Sequence, residues 1–167
     1  MPAIEVVLGD ITTQDVDAIV TAANESLLGG GGVDGAIHRA AGPRLAEAGA
    51  AIGPRDAGDA MATPAFDPDP PVRHVIHTVG PVWEGGSYGE ADILASCYRR
   101  SLQVADTLGA RSVAFPAIAT GIYGFPPDQA ATIAVQTIRS TPTTVEQVRL
   151  VAFDQSARDI LQAALNP

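Results

Sequence analysis

The chain has 167 residues, a length that suits one domain spanning residues 1–167. Hydrophobic residues make up 46% of the chain and charged residues 17%, which excludes a disordered protein. The net charge is −9 and all ten basic residues are arginine, which disfavours long nucleic acids as partners and excludes lysine-dependent sites such as the Walker-A phosphate loop.

The N-terminal segment carries no basic residue before Arg39, and no apolar run approaches the ~18 residues of a membrane span. A single cysteine, Cys97, leaves no disulfide framework and no thiolate metal cluster. We therefore expect a cytoplasmic protein with no membrane partner.

The first half of the chain alternates short β-branched runs with glycine-rich loops. Strands are predicted at 3–8 and 17–22, with one helical turn at 11–16 that Thr12 or Thr13 would cap. The loop 24–32 ends in four glycines and precedes a helix predicted from 33 to about 51, where Gly53-Pro54 stops it. Two more strands are predicted at 59–65 and 73–79, followed by a loop at 80–89.

The second half alternates helices and strands regularly. The predicted order is helix 90–108, strand 112–117, a Gly/Pro loop, helix 127–139, strand 145–153 and helix 156–165 with Ser156 as its N-cap. This alternation favours an α/β layer fold with a largely parallel sheet, which binds its ligand at the ends of the strands.

Two familiar motifs occur in unfavourable contexts. Residues 30–35 satisfy G-x-G-x-x-G, but about eight loop residues separate them from the preceding strand, so a nicotinamide-dependent oxidoreductase is kept only as an alternative. Residues 85–89 satisfy G-x-S-x-G, but all histidines precede Ser87, which excludes the Ser-acid-His order of that hydrolase fold. The histidines do not have metal-ligand spacing, and we expect structural roles for His38, His74 and His77.

Two glycine-bearing loops form a stronger pattern. Glycines 29–32 open the helix predicted at Val33, and their N–H groups together with the helix dipole suit a phosphate without any lysine. The loop 119–124 follows a strand, precedes a helix and can supply the opposite wall of the same cleft. The alternative is that both loops are merely turns.

Three polar residues lie next to these loops. Asp34 falls in the first helical turn, where it can stabilise the helix or act on water or a sugar hydroxyl. Asn24 starts the glycine loop and can bond a ribose diol, and Asp10 can accept from an exocyclic amine such as that of adenine. Each of them is also a common turn residue.

Five segments in the same order resemble the macrodomain family, and within it the MacroD-type hydrolases. They are GDIT at 9–12, DAIVTAAN at 17–24, SLLGGGGVDGAIHRAAG at 26–42, VIHTVGP at 75–81 and PAIATGIYGFP at 116–126. The resemblance covers nearly the whole chain, and the stretch 27–42 is its most specific part.

The resemblance implies a three-layer α/β/α fold with a mixed, mostly parallel six-stranded sheet that binds ADP-ribose, without cofactor or metal. It implies that Asn24, Asp34 and Tyr123 are catalytic at the distal ribose. It assigns ligand binding to Asp10, Ile11 and Phe153 near the adenine, and to Gly29, Gly30, Gly31, Gly32, Val33, Ala119, Thr120, Gly121 and Ile122 around the diphosphate and distal ribose.

Two positions depart from the family pattern. The family usually has asparagine where this chain has Thr21, and serine where it has Ala119. Main-chain donors can preserve ligand binding, so these departures bear on turnover and substrate choice.

The expected function is hydrolysis of ADP-ribosyl esters on protein Asp or Glu, and also of O-acetyl-ADP-ribose. The expected partners are ADP-ribose and mono-ADP-ribosylated proteins, with the chain acting as a monomer. The main alternative is a reader module that binds ADP-ribose without cleaving it. Retention of both Asn24 and Asp34 favours the enzyme, since a reader has no evident use for a carboxylate beside an anion.

Overall fold

The computed structural model describes residues 2–23, 32–68, 71–121 and 123–167. The strands in these residues are β1 (Ala3–Leu8), β2 (Ala18–Ala23), β3 (Ala60–Pro64), β4 (His74–Val79), β5 (Ser112–Phe115) and β6 (Gln147–Ala152). The helices are α1 (Gly32–Ala41), α2 (Arg44–Ile52), α3 (Glu90–Leu108), α4 (Pro127–Ser140) and α5 (Gln155–Leu165), with a 3-10 turn at Ile11–Thr13.

The strands form a six-stranded sheet in the order β1-β6-β5-β2-β4-β3. All neighbouring strands run parallel except β3 and β4, which pair antiparallel at one edge. A short connection suffices between β3 and β4, whereas parallel neighbours need longer crossovers that carry the helices. The predicted mixed, mostly parallel sheet is confirmed.

Helices cover both faces of the sheet. Along β2, Ile19 packs in a cluster with Ile37 of α1, whereas the next residue, Val20, packs in a cluster with Leu94 of α3. Helices α1 and α2 thus lie on one face, and α3, α4 and α5 lie on the other. The three-layer α/β/α architecture is confirmed. Among the residues described, no helix is both long and apolar enough to cross a bilayer.

The single helix predicted from 33 to about 51 is wrong, because the structure has two helices there. Gly42 adopts a left-handed conformation (φ +88°), its N–H caps α1 on the His38 carbonyl at 3.0 Å, and Pro43 follows. Ile37 and Leu45 are buried on the same side of the sheet, so the apolar spacing runs through the break. The spacing of apolar residues alone therefore does not reveal the break between α1 and α2.

The ends of several elements differ from the prediction by a few residues. Strand β5 ends at Phe115, before Pro116, and β6 spans only Gln147–Ala152. The cap of α5 is Asp154, whose carboxylate accepts from the Ala157 amide at 2.8 Å, and not the predicted Ser156. The shorter β6 leaves Phe153 just beyond the sheet.

His77 is buried between the sheet and the α1 layer. Its Nε2 lies 2.9 Å from the Thr63 hydroxyl, and its ring lies edge-on to the ring of His38, with 6.5 Å between the centroids. Burial, reinforced by the neighbouring His38, lowers the pKa of His77 from 6.5 to about 4. The folded protein therefore keeps this ring neutral at a pH where the unfolded chain protonates it.

We expect this histidine to weaken the fold in acid. Between pH 6.5 and 4 the unfolded state binds the extra proton, so stability falls as the pH drops through this window. The expected loss is about 3 kcal/mol at ~1.4 kcal/mol per pKa unit. Urea unfolding of wild type and His77→Gln at pH 7 and pH 4.5 measures it, and the variant should lose less stability than wild type. Equal losses would contradict the assignment.

Candidate functional site

A cleft of about 760 Å³ opens at the edge of the sheet where the parallel strands end. Its floor comes from residues at or just after the ends of five strands, namely Gly9, Ala22–Ala23, Gly80, Pro116–Ala117 and Val151–Phe153. This edge is where open α/β sheets bind their ligands, and the volume is typical of a small-molecule site.

The cleft brings together every predicted site residue that the structure describes. They are Asp10, Ile11, Gly32, Val33, Asp34, Ala119, Thr120, Gly121, Tyr123 and Phe153. The remaining predicted residues, Asn24, Gly29, Gly30, Gly31 and Ile122, lie outside the described residues.

One end of the cleft lies over β1 and β6. Asp10 follows β1 and caps the 3-10 turn, its Oδ1 accepting from the Thr12 amide at 2.8 Å and from the Thr12 hydroxyl at 2.7 Å. The predicted cap at Thr12 or Thr13 is therefore wrong. Phe153 follows β6 and leaves 79% of its surface exposed. This end offers a carboxylate and an uncovered aromatic ring, which suit a purine with an exocyclic amine.

Asp34 marks the other end, near β2. It lies in the first turn of α1 yet is only 2% exposed. Its Oδ1 accepts a 2.8 Å hydrogen bond from the hydroxyl of Thr21, a fully buried residue of β2. The helix dipole and this donor both favour the charged carboxylate, whose burial would otherwise be costly. The structure thus places a buried carboxyl group at the wall of the cleft.

His38 is a contact that the sequence analysis missed. Its Nε2 lies 3.6 Å from the Asp34 Oδ1, one helical turn further along α1. We expected His38 to be structural because it has no metal-ligand spacing. The spacing of four residues on a helix was itself a usable signal, since such side chains share a face.

The loop after β5 forms the opposite wall. Ala119 adopts a left-handed backbone (φ +67°), a conformation that costs an L-residue roughly 1–2 kcal/mol. The Phe125 backbone amide donates to the Ala119 carbonyl at 2.9 Å, and the Trp83 backbone amide donates to the Tyr123 carbonyl at 2.8 Å. The Trp83 and Phe125 rings also pack together, with centroids 4.7 Å apart. These contacts hold Tyr123 at the cleft.

The segment carrying Trp83 is itself organised around a buried carboxylate. Glu90 accepts from the amides of Glu84 and Gly86 at 2.9 Å and of Tyr88 at 2.6 Å. The hydrogen bond from Glu84, with those from Gly86 and Tyr88, outweighs burial and lowers the pKa of Glu90 from 4.5 to about 2. Loop 80–89 thus supports the wall of the cleft that carries Tyr123. Ser87, in the G-x-S-x-G motif of this loop, is exposed.

Glu90→Gln should weaken this support, because an amide group cannot accept from all three backbone N–H groups. The carboxylate stabilises the fold above pH 4.5, and this contribution is lost as the pH falls towards 2. We expect a lower melting temperature than wild type at pH 7 and a smaller difference at pH 3, measured by circular dichroism. Glu84→Gln, an exposed carboxylate in the same loop, is the control and should melt like wild type.

Gly80 is another cleft residue that the sequence analysis did not single out. A methyl group at this position would lie 3.1 Å from the Ala119 Cβ and 3.1 Å from the Ile118 Cγ2. The β4 end and the Ala119 loop therefore approach each other as closely as a glycine allows. Such a contact depends on the tertiary fold and leaves no local sequence signal.

The geometry does not match the alternative sites. Strand β2 ends at Ala23 and α1 begins at Gly32, so G-x-G-x-x-G is not at the tight strand-to-helix turn of a dinucleotide fold. Within the described parts of the chain, no three His, Cys, Asp or Glu residues are grouped to hold a metal ion.

Comparisons with known proteins agree with this architecture. The family model described as Macro domain matches residues 20–134, more than half of the chain. A macro domain-containing protein of Streptomyces nogalater is 57% identical over 165 residues, covering 95% of this chain and 90% of its own length. A Klebsiella pneumoniae protein named O-acetyl-ADP-ribose deacetylase is 52% identical over 168 residues, covering 96% and 95%.

Solved structures give the same result. The Oceanobacillus iheyensis macrodomain with ADP has a TM-score of 0.92 and 41% identity, covering 98% of this chain and 90% of that one. The Trypanosoma brucei macrodomain in complex with ADP-ribose has a TM-score of 0.87 and 35% identity, covering 98% and 69%. With the matching family model and relatives above half identity, the chain belongs to the macrodomain family.

Proposed function

We propose that this chain binds ADP-ribose in the cleft and hydrolyses the ester that joins ADP-ribose to an aspartate or glutamate of a protein, and also O-acetyl-ADP-ribose. The observation that carries this proposal is the cleft itself, because every described residue expected at such a site lines it. The name of the Klebsiella pneumoniae relative and the ADP and ADP-ribose complexes of the structural neighbours support the ligand class.

In this proposal the adenine lies at the β1–β6 end, between Phe153 and the 3-10 turn. Asp10 has lone pairs left beside its two bonds to Thr12 and accepts from the adenine amine, with the Ile11 amide nearby. Main-chain amides of α1 and of the loop 119–122 hold the diphosphate, together with glycines 29–31. The chain contains no lysine, so this arrangement supplies the positive potential from backbone dipoles.

The distal ribose and the ester then lie near Asp34 and Tyr123. Asn24 fixes the ribose, and Tyr123 packs on it and positions the attacking water. Asp34 orients this water or takes its proton, as a buried carboxylate in the charged form can do. Water adds across the ester, which splits into ADP-ribose and the free carboxylic acid of the carrier.

The test is to mix the purified protein with a protein substrate that carries labelled ADP-ribose on Asp or Glu, and with O-acetyl-ADP-ribose in parallel. Release of free ADP-ribose supports the hydrolase. If the label stays on the carrier protein while calorimetry shows that the chain binds ADP-ribose, the chain is a reader module. Binding of NAD much tighter than ADP-ribose would instead favour the oxidoreductase.

A further inference from the structure

We infer that Thr21 is a positioning residue of this site, and that its hydroxyl sets the orientation of the Asp34 carboxylate. The inference rests on the proposed function for its kinetic consequence. Its structural basis is the 2.8 Å hydrogen bond from the Thr21 Oγ1 to the Asp34 Oδ1. Both residues are buried: Thr21 is fully buried and Asp34 is 2% exposed.

The donor is held in place by the central sheet. Thr21 lies in β2 and pairs with His77 of the parallel neighbour β4, so its backbone is fixed by the sheet. A β-branched side chain has few χ1 rotamers, which fixes the direction of the hydroxyl as well. Asp34 lies in the first turn of α1, so this bond fixes a helical side chain against the central sheet.

The Thr21 hydrogen bond meets the same carboxylate oxygen that lies near His38. Both the Thr21 hydroxyl at 2.8 Å and the His38 Nε2 at 3.6 Å lie beside Oδ1. A bond between a hydroxyl and a charged carboxylate is stronger than one between neutral groups, so it resists rotation of the carboxylate. A donor from the sheet therefore helps to fix the direction in which the Asp34 side chain leaves α1.

The residue type at this position distinguishes the chain from the family pattern, which usually has asparagine there. An amide and a hydroxyl can both donate to Asp34, but they differ in length and shape. We therefore assign the contact to the hydroxyl in this chain, and expect Thr21→Asn to preserve the function of this donor only in part.

Three variants at position 21 separate positioning from packing. Thr21→Val keeps the shape and removes the donor, Thr21→Ser keeps the donor and removes a methyl group, and Thr21→Asn introduces the family residue. We expect Thr21→Val to lower kcat about tenfold while KM and the affinity for ADP-ribose change less than about twofold. Thr21→Ser should keep kcat within about threefold of wild type, since it retains the donor.

A second readout does not need turnover. Three-bond NMR couplings report χ1 of Asp34 in the free protein, and we expect one rotamer in wild type and Thr21→Ser but averaging in Thr21→Val. If the wild type hydrolyses neither ester, the proposed function fails while the couplings still test Thr21. The inference would be overturned if Thr21→Val kept a single Asp34 rotamer and an unchanged kcat. It would also be overturned if Thr21→Ser lost as much kcat as Thr21→Val.

Removing a buried donor can destabilise the fold, so melting curves accompany each variant. If Thr21→Val does not fold, Thr21→Cys replaces it, because a thiol has nearly the same size and is a weak donor. The expected result is then an intermediate loss of kcat with averaged Asp34 couplings. Wild-type values for both would count against Thr21.

Discussion

Asp34→Asn is expected to lower kcat for the ADP-ribosyl ester by about 10²- to 10⁴-fold, the usual contribution of a positioned acid or base. Asparagine keeps the shape and retains an oxygen that accepts from the Thr21 hydroxyl, but it removes the negative charge. The attacking water then loses the group that orients it or takes its proton. Single-turnover release of labelled ADP-ribose measures the effect.

Binding should respond differently from turnover. Removing a carboxylate beside a bound diphosphate relieves a like-charge repulsion, so ADP-ribose affinity should stay constant or increase, as measured by calorimetry. Asp10→Asn, at the β1–β6 end of the cleft, is the matched variant and should weaken binding with little change in the rate of bound substrate. Wild-type turnover by Asp34→Asn would show that Asp34 is not catalytic.

The layered fold was predictable because both faces of the central strands are buried. A strand such as β2, AIVTAA, shows no polar alternation and so indicates helices on both sides of a parallel sheet. The order of the strands was not predictable from spacing, since parallel neighbours such as β1 and β6 are far apart in sequence. For the number of strands and the mixed character of the sheet, the resemblance to the macrodomain family supplied what local patterns do not contain.

The cleft was predictable to the extent that its residues end strands or start helices. Asp10, Asp34 and the loop after β5 carry local signals, such as glycines and turn residues next to apolar runs. The residues that hold them in place carry almost no local sequence signal. Thr21 reads as one more β-branched strand residue, and Glu90 reads as an ordinary acidic residue at the start of a helix. The partner of Thr21 becomes visible only when the fold places β2 against α1. The partners of Glu90 become visible only when loop 80–89 folds back onto the first residue of α3.

The break between α1 and α2 also shows what local sequence patterns leave undetermined. Gly42-Pro43 is a sufficient stop signal on its own, but the apolar positions on either side face the same sheet. The periodicity therefore continues across a real break between two helices. A strong burial pattern specifies which face is covered, and does not specify how many helices cover it.

The exposed aromatic ring at the β1–β6 end leads to the second large effect. Phe153 is 79% exposed and lies between the cleft and a smaller cavity of about 190 Å³ beside α5. An uncovered phenyl ring at a cleft wall gains contact area when a purine stacks on it. Alanine substitution of an aromatic that stacks on a base typically costs about 1–3 kcal/mol.

We therefore expect Phe153→Ala to weaken ADP-ribose binding about 5- to 150-fold in a calorimetric titration. ADP should lose as much affinity as ADP-ribose, whereas ribose 5-phosphate, which has no base, should be unaffected. Phe153→Trp should bind at least as well as wild type, because it keeps the stacking surface. Tyr88→Ala removes an aromatic of similar exposure from loop 80–89, outside the cleft lining, and should change nothing. If Phe153→Ala binds ADP-ribose like wild type, the adenine does not lie at this end, and the proposed direction of the ligand along the cleft must be reversed.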